Sequence, residues 1–203
     1  MAVKTYSKKT SGEEKLSPNF TVGEFACKDG SDTILIDSDL VDVLQTLRNH
    51  FKKAIVINSA YRNAAYNKKV GGVSNSQHTK GTAADIKIAG VAPADIAEYA
   101  EYIMPDMGGI GLYSGFVHID VRTSRSRWTN YGKEKSVAGF PGYSKQKKTL
   151  ETGNDIVWEL INGQHKLEIL DVDKAVKALD NAKKNTDYCS LYWILYKLVN
   201  GNG

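Results

Sequence analysis

Gly109-Ile110-Gly111-Leu112-Tyr113-Ser114-Gly115-Phe116-Val117-His118-Ile119-Asp120-Val121 is the stretch on which the fold turns. Its halves read as two strands joined by a tight turn at Ser114-Gly115. Side chains alternate along a strand, so His118 and Asp120 point to one face. Helical patterns come earlier in the chain and this hairpin comes late. That order favours an α+β fold with a central antiparallel sheet over a doubly wound one.

Upstream, Pro93 opens a helix through Ile96, Tyr99, Ala100 and Ile103, and Pro105 closes it. Ala84-Asp85-Ile86-Lys87-Ile88 reads as a strand, and Gly71-Gly72 with Ser74-Asn75-Ser76 as a loop. Ala54-Ile55-Val56-Ile57-Asn58-Ser59 is a short β-branched run with turn residues after it, which predicts a buried strand. Ser38 is placed to cap a helix carrying Leu40, Val43, Leu44, Leu47 and Phe51 at helical spacing. Residues 1–16 are polar and rich in Lys, Ser and Glu, so they are expected to form a loosely held tail. Residues 17–128 form the expected main domain. Residues 129–151, with Gly, Lys, Ser and Pro, read as a linker. Residues 152–203 then read as a small module of three short helices.

The bulk numbers narrow the function. The chain has 203 residues, 41% hydrophobic and 25% charged, enough for one domain plus a small second one. No apolar run reaches the ~18 residues of a membrane-spanning helix, so membrane insertion is not expected. Cationic residues at 4, 8 and 9 have no apolar stretch behind them, so no secretory leader is expected. The net charge of +4 is mild, and no basic stripe on a recognisable nucleic-acid fold appears, so nucleic acid is not an expected partner. Cys27 and Cys189 fit no metal or redox spacing and read as two free thiols.

Four histidines remain as the main chemical clue. His50 ends a helix and His165 follows Asn162-Gly163-Gln164, positions that suit structural or solvent-exposed roles. His78 lies in Ser76-Gln77-His78-Thr79-Lys80-Gly81-Thr82-Ala83-Ala84-Asp85. Gly81 breaks any helix there, and a loop turning at Gly81 into a strand at Ala83 brings His78 back beside Asp85. The small Ala83 and Ala84 leave room for a coordinated ion. Two imidazoles and a carboxylate from adjacent strands make a three-ligand zinc site with a fourth position open to water. Such an ion lowers the pKa of its water to about 7. Taken singly, either histidine string reads as a hydrogen-bonded core residue.

Taken together, these segments resemble the M15 peptidases, which include zinc D-Ala-D-Ala carboxypeptidases and phage endolysins that cut cell-wall stem peptides. The family motif SxHxxGxAxD is matched by Ser76, His78, Gly81, Ala83 and Asp85. The segment Gly109 through Arg122 and the opening Asn19-Phe20-Thr21-Val22-Gly23-Glu24-Phe25 are similar to one branch, and the likeness spans roughly residues 16–125. It implies a hedgehog/DD-peptidase-like domain, with His78, Asp85 and His118 as zinc ligands and bacterial peptidoglycan as substrate. Asn58-Ser59-Ala60-Tyr61-Arg62-Asn63 is similar to the family's SGYR segment, which implies substrate contact by Arg62. Tyr61 and Tyr113 are candidates to line the cleft, with packing as their plainer role.

One departure stands out. Several members carry a general-base acid three residues before the final histidine, where this chain has Gly115. Asp120 is the nearest replacement as base. It stands beside two alternatives: an acceptor that orients His118, or a metal ligand with His118 as the acid/base group. The resemblance implies a phage or prophage endolysin made in the bacterial cytoplasm and acting on the wall after release. The C-terminal module would either dock on the wall or pack as an appendage. A non-catalytic zinc-bearing binding module of the same fold is the alternative function. The bond cut, D-Ala-D-Ala or L-Ala-D-Glu, stays open, as does the oligomeric state.

Overall fold

The computed structural model describes residues 3–140. The expected helical module, the linker beyond residue 140, Cys189 and His165 lie outside the described residues. In chain order the elements are β1 (Val3–Ser7), α1 (Lys8–Ser11), β2 (Lys15–Ser17), β3 (Phe20–Thr21), β4 (Thr33–Asp37), α2 (Ser38–Phe51), β5 (Ile55–Ser59), α3 (Ala64–Lys69), β6 (Ala83–Ile88), α4 (Pro93–Ile103), β7 (Gly109–Tyr113), β8 (Val117–Asp120), β9 (Ser126–Asn130) and β10 (Glu134–Ser136). Single 3₁₀ turns cover Val22–Phe25 and Gln77–Lys80. The class is α+β, as expected.

Six strands form the main sheet in the order β10-β9-β7-β8-β6-β5. Every neighbouring pair is antiparallel except β7 and β9, because the chain leaves β8 and returns along the far side of β7. Alternation gives the sheet two unlike faces. One presents Ile57, Ile86, Ala84, Val117, Ile119, Ile110 and Leu112, all buried. The helix α4 packs on this face, over β6, β7 and β8, and α2 packs on α4. His50 of α2 stacks on Tyr99 of α4 with ring centroids 3.6 Å apart, so this histidine is structural. The other face carries Asp85, His118 and Asp120.

Four expectations need correction. The N-terminal tail is instead strand β1, paired along its whole length with β4. Asp32 accepts bonds from the Ser7 hydroxyl and the Lys9 amide and fixes the turn into α1. A ladder needs only backbone groups, so a polar sequence can be held in place. The expected linker begins too early. Residues up to Asn130 finish β9, and Gly132, at φ +107°, turns the chain into β10. Third, β5 is an edge strand whose Val56 is 56% exposed; only its Ile55 and Ile57 side is buried. The cap of α2 also sits one residue early, on Asp37, whose side chain accepts from the Asp39 amide at 2.9 Å.

A buried charge cluster closes the sheet's far end. Glu101 on α4 accepts from Arg127 Nε at 2.6 Å and from Arg125 Nη2 at 3.0 Å. Arg127 also donates to the carbonyls of Met104 and Gly108, the latter at 2.6 Å. Arg125 reaches the Ala138 carbonyl at 2.5 Å, and the Phe140 amide approaches Glu101 at 3.4 Å.

Gly81 has a positive φ of 75°, and a Cβ there would lie 2.5 Å from the Leu35 carbonyl oxygen. Gly30, at φ 86°, has open space around its Cβ position. Both Gly→Ala changes carry the left-handed cost of about 1–2 kcal/mol, and only Gly81→Ala adds the collision. Thermal melts should show Gly81→Ala well below Gly30→Ala, with Gly30→Ala down by about 2–8 °C. Equal melting temperatures would show that the loop yields without strain.

Candidate metal centre

The register of the sheet lines up one cross-strand row. Trp128 of β9 faces Gly111 of β7, Gly111 faces His118 of β8, His118 faces Asp85 of β6, and Asp85 faces Ser59 of β5. His78 joins this row from outside the sheet. Ser76 Oγ accepts from the His78 amide at 3.3 Å, and Gly81 ends the single turn so that the chain enters β6. Ligand-type atoms of His78, Asp85 and His118 all lie within 4.8 Å of one another, and all three residues are buried.

Hydrogen bonding sets the histidine tautomers. His78 Nδ1 lies 2.7 Å from the Ala60 carbonyl, which can only accept, so Nδ1 carries the proton. Its Nε2 then offers a lone pair. That atom is buried without a hydrogen-bond partner among the described residues, 3.3 Å from Asp85 Oδ1. A lone pair facing a carboxylate in a buried site is costly unless a cation sits between them. His118 Nδ1 lies 2.9 Å from the same Asp85 oxygen, and its Nε2 lies 3.0 Å from Asp120 Oδ2. Two imidazole nitrogens and one carboxylate oxygen thus converge, and this donor set fits a divalent metal ion.

The electrostatics agree. Burial disfavours a charged His118 ring, but hydrogen bonds to Asp120 and Asp85 outweigh it and raise its pKa to about 9. Burial likewise works to raise the Asp85 carboxyl, yet the hydrogen bond and charge of His118 hold it well below the usual carboxylate range. Without a metal, a proton on His118 supplies the positive charge between the two acids.

Arg62 and Asp120 each brace one of these groups. Arg62 Nη2 donates to Asp85 Oδ2 at 2.7 Å and its Nε donates to Ser59 Oγ at 2.8 Å. The guanidinium therefore grips the outer oxygen of Asp85 and leaves Oδ1 to the histidines. Asp120 is fully buried. Its Oδ1 accepts from the Gly109 amide, the Arg122 amide and Arg122 Nε at 3.1, 3.1 and 2.7 Å. Its Oδ2 takes Arg122 Nη2 at 2.5 Å and His118 Nε2 at 3.0 Å. A carboxylate has about four lone-pair directions, so five donors leave none aimed at a water. Burial raises its pKa, and the bonds from His118 and Arg122 overcome this and hold it low. That environment opposes the general-base role expected of Asp120 and matches the orienting alternative.

The two tyrosines separate. Tyr113 stacks on Phe116, centroids 4.2 Å apart, and its Oη accepts from Trp128 Nε1 at 3.2 Å. Trp128 lies 5.2 Å from the His118 ring, so Tyr113 borders the cluster through it. Tyr61 has Cys27 and Asp29 as neighbours instead. Gly115, in the exposed hairpin turn, has nothing within 4 Å of its Cβ position.

Four residues escaped the sequence reading: Trp128, Arg122, Gly109 and Gly111. A Cβ on Gly111 would lie 2.4 Å from the Trp128 indole, and one on Gly109 would lie 2.1 Å from Asp120 Oδ2. The absent side chains make the space in which the indole and the carboxylate sit. The signal was present as Gly-x-Gly-x-Tyr across the hairpin from His-x-Asp.

Sequence comparison places this geometry among known proteins. The family profile described as Peptidase M15 matches residues 18–120. Peptidoglycan L,D-endopeptidase MepK of Escherichia coli (strain K12) is 35% identical over 99 residues, covering 44% of this chain and 53% of the relative. The proteins of that name from Escherichia coli O157:H7 and Shigella flexneri give the same values. The chain spans about half the length of the curated relatives it matches. Since the matched stretch takes in His78, Asp85, His118 and Asp120 and covers half of the sequence, the chain belongs to the Peptidase M15 family.

Proposed function

We propose that this chain is a zinc-dependent peptidoglycan peptidase, with His78 Nε2, Asp85 Oδ1 and His118 Nδ1 holding the ion. The observation that carries the reading is the buried lone-pair nitrogen of His78, converging with Asp85 and His118 and unsatisfied by any described donor. Zinc bound there supplies a water nucleophile near neutral pH and a Lewis acid for the scissile carbonyl. The protein's own residues do the rest. Ala60 fixes the His78 tautomer. Arg62 holds Asp85 so that one oxygen faces inward, and its remaining edge is available to a substrate carboxylate. Asp120, clamped by Arg122, accepts from His118 Nε2 and keeps Nδ1 turned to the metal, a carboxylate–histidine arrangement that strengthens the ligand. Likeness to relatives named L,D-endopeptidase favours an internal stem-peptide bond over the terminal D-Ala-D-Ala bond.

His78→Ala and Asp85→Ala should each lose stoichiometric zinc and the release of new amine ends from purified cell walls. Full activity in either variant rejects the ligand set. Zinc retained by the wild type with no wall cleavage would favour the binding-module alternative.

Asp120→Ala tests the orienting role. A positioning acceptor predicts zinc affinity weakened about 10- to 100-fold, with turnover regained at high zinc. Unchanged affinity with turnover lost at every zinc concentration would restore Asp120 as the base.

The raised His118 pKa makes a further prediction for chelated protein. A proton held more tightly in the folded state stabilises it fully below the unfolded value of 6.5, and that contribution is lost as pH rises through about 9. The melting temperature should therefore fall between these pH values in the wild type, more steeply than in His118→Gln. Saturating zinc replaces the proton and should flatten the profile. Identical profiles for wild type and variant without metal would remove the bridging role of His118.

A further inference from the structure

We propose that Lys87 is a specificity-determining residue beside the metal centre, whose ammonium holds a free carboxylate of the stem peptide. This inference rests on the peptidoglycan reading and adds to it a second cationic contact besides Arg62. Lys87 lies two residues beyond Asp85 on β6, so both side chains leave the same face of the sheet, with Cα atoms about 7 Å apart. It is exposed, while its chain neighbours Ile86 and Ile88 are buried on the opposite face. Its register partner on β5 is Val56. On the other side Ile86 pairs with Val117, which sets Phe116, just before β8, across from Lys87. Because β5 runs antiparallel to β6, Val56 stands on one side of the Asp85–Ser59 pair and Arg62 on the other. Lys87 and Arg62 therefore bracket the metal row along the strand direction.

The charges on this face select the ligand. Arg62 is bound to Asp85, and Arg122 to Asp120. Among the described residues Lys87 has no acid paired with it, and its cross-strand neighbours, the 56% exposed Val56 and the partly buried Phe116, offer none. A cation standing between apolar neighbours without a counter-charge suits an anionic ligand, and a carboxylate makes a charge-assisted hydrogen bond to it. The stem peptide supplies such groups. D-Glu carries a free carboxylate next to its amide bonds, and the terminal D-Ala ends in one. An extended peptide advances about 3.3–3.6 Å per residue, so a carboxylate one or two residues from the scissile carbonyl meets the ammonium. The flexible four-carbon stem of lysine lets it follow either group. A neutral segment would gain nothing from Lys87.

The test uses the full zinc-loaded chain and three forms of one stem peptide: unmodified, amidated at D-Glu, and amidated at the terminal D-Ala. Lys87→Gln should lower kcat/KM for the unmodified peptide by about three- to fivefold, through KM, with zinc content and melting temperature as in the wild type. On the amide that lacks the group held by Lys87, wild type and variant should be equal, and that amide identifies the carboxylate. Raised ionic strength should narrow the gap on the unmodified peptide. Lys135→Gln, on the opposite edge strand β10, removes the same charge and should change nothing. Equal losses for Lys87→Gln on all three peptides, or no loss on the unmodified one, overturn the proposal. If the wild type cuts none of them, the peptidoglycan reading fails by itself. The Lys87 side-chain Cε–H resonance, assigned with Lys87→Gln, then decides. A shift on adding the unmodified peptide but not one of its amides supports the carboxylate contact, and no shift overturns it.

Discussion

Everything at the centre depends on the register between β6 and β8, which sets Asp85 opposite His118. Side chains alternate with period two, so a slip by one residue would send His118 into the apolar face under α4 and bring Ile119 out to face the acids. The apolar face prevents that slip. Ala84, Ile86, Val117 and Ile119 are all buried, and exchanging them for charged groups would cost far more than any single contact at the site returns. The core thus fixes the chemistry from behind, by leaving only one alignment in which both faces are satisfied.

With that register in place, the site is organised as a chain of braces. Ala60 holds one histidine, Arg62 holds the carboxylate, and Asp120 holds the other histidine while being held in turn by Arg122 and two backbone amides. Each inward-facing atom has its freedom removed by a partner on the far side. This is what a site needs to keep its donors converged before a ligand arrives.

Much of this was legible in the residues, and the boundary of legibility has a physical cause. Local signals worked: Gly81 had to turn, Ala83 had to enter a strand, and His118 had to share a face with Asp120. These follow from backbone sterics and from the period of a strand. Features that depend on which distant strand lies alongside were not legible. Trp128 reaches His118 only because β9 returns parallel to β7 across two glycines. That Arg122 and the Gly109 amide occupy the oxygens of Asp120 likewise depends on how β7 and β8 lie together. The polar N-terminal strand failed for a related reason, since its partner β4 supplies backbone bonds that composition cannot reveal.

The Glu101 cluster bears on where this protein ends as a folding unit. The match to the family profile ends at residue 120, yet the acid on α4 is neutralised by Arg125 and Arg127, and its surroundings extend to Phe140. A fragment ending at residue 120 would strip away β9 and β10 and leave a carboxylate in the interior with no counter-charge, a defect of about 3–5 kcal/mol. The stretch matched by the family profile and the stretch needed to satisfy this buried charge are therefore different, and the second is longer by at least one hairpin.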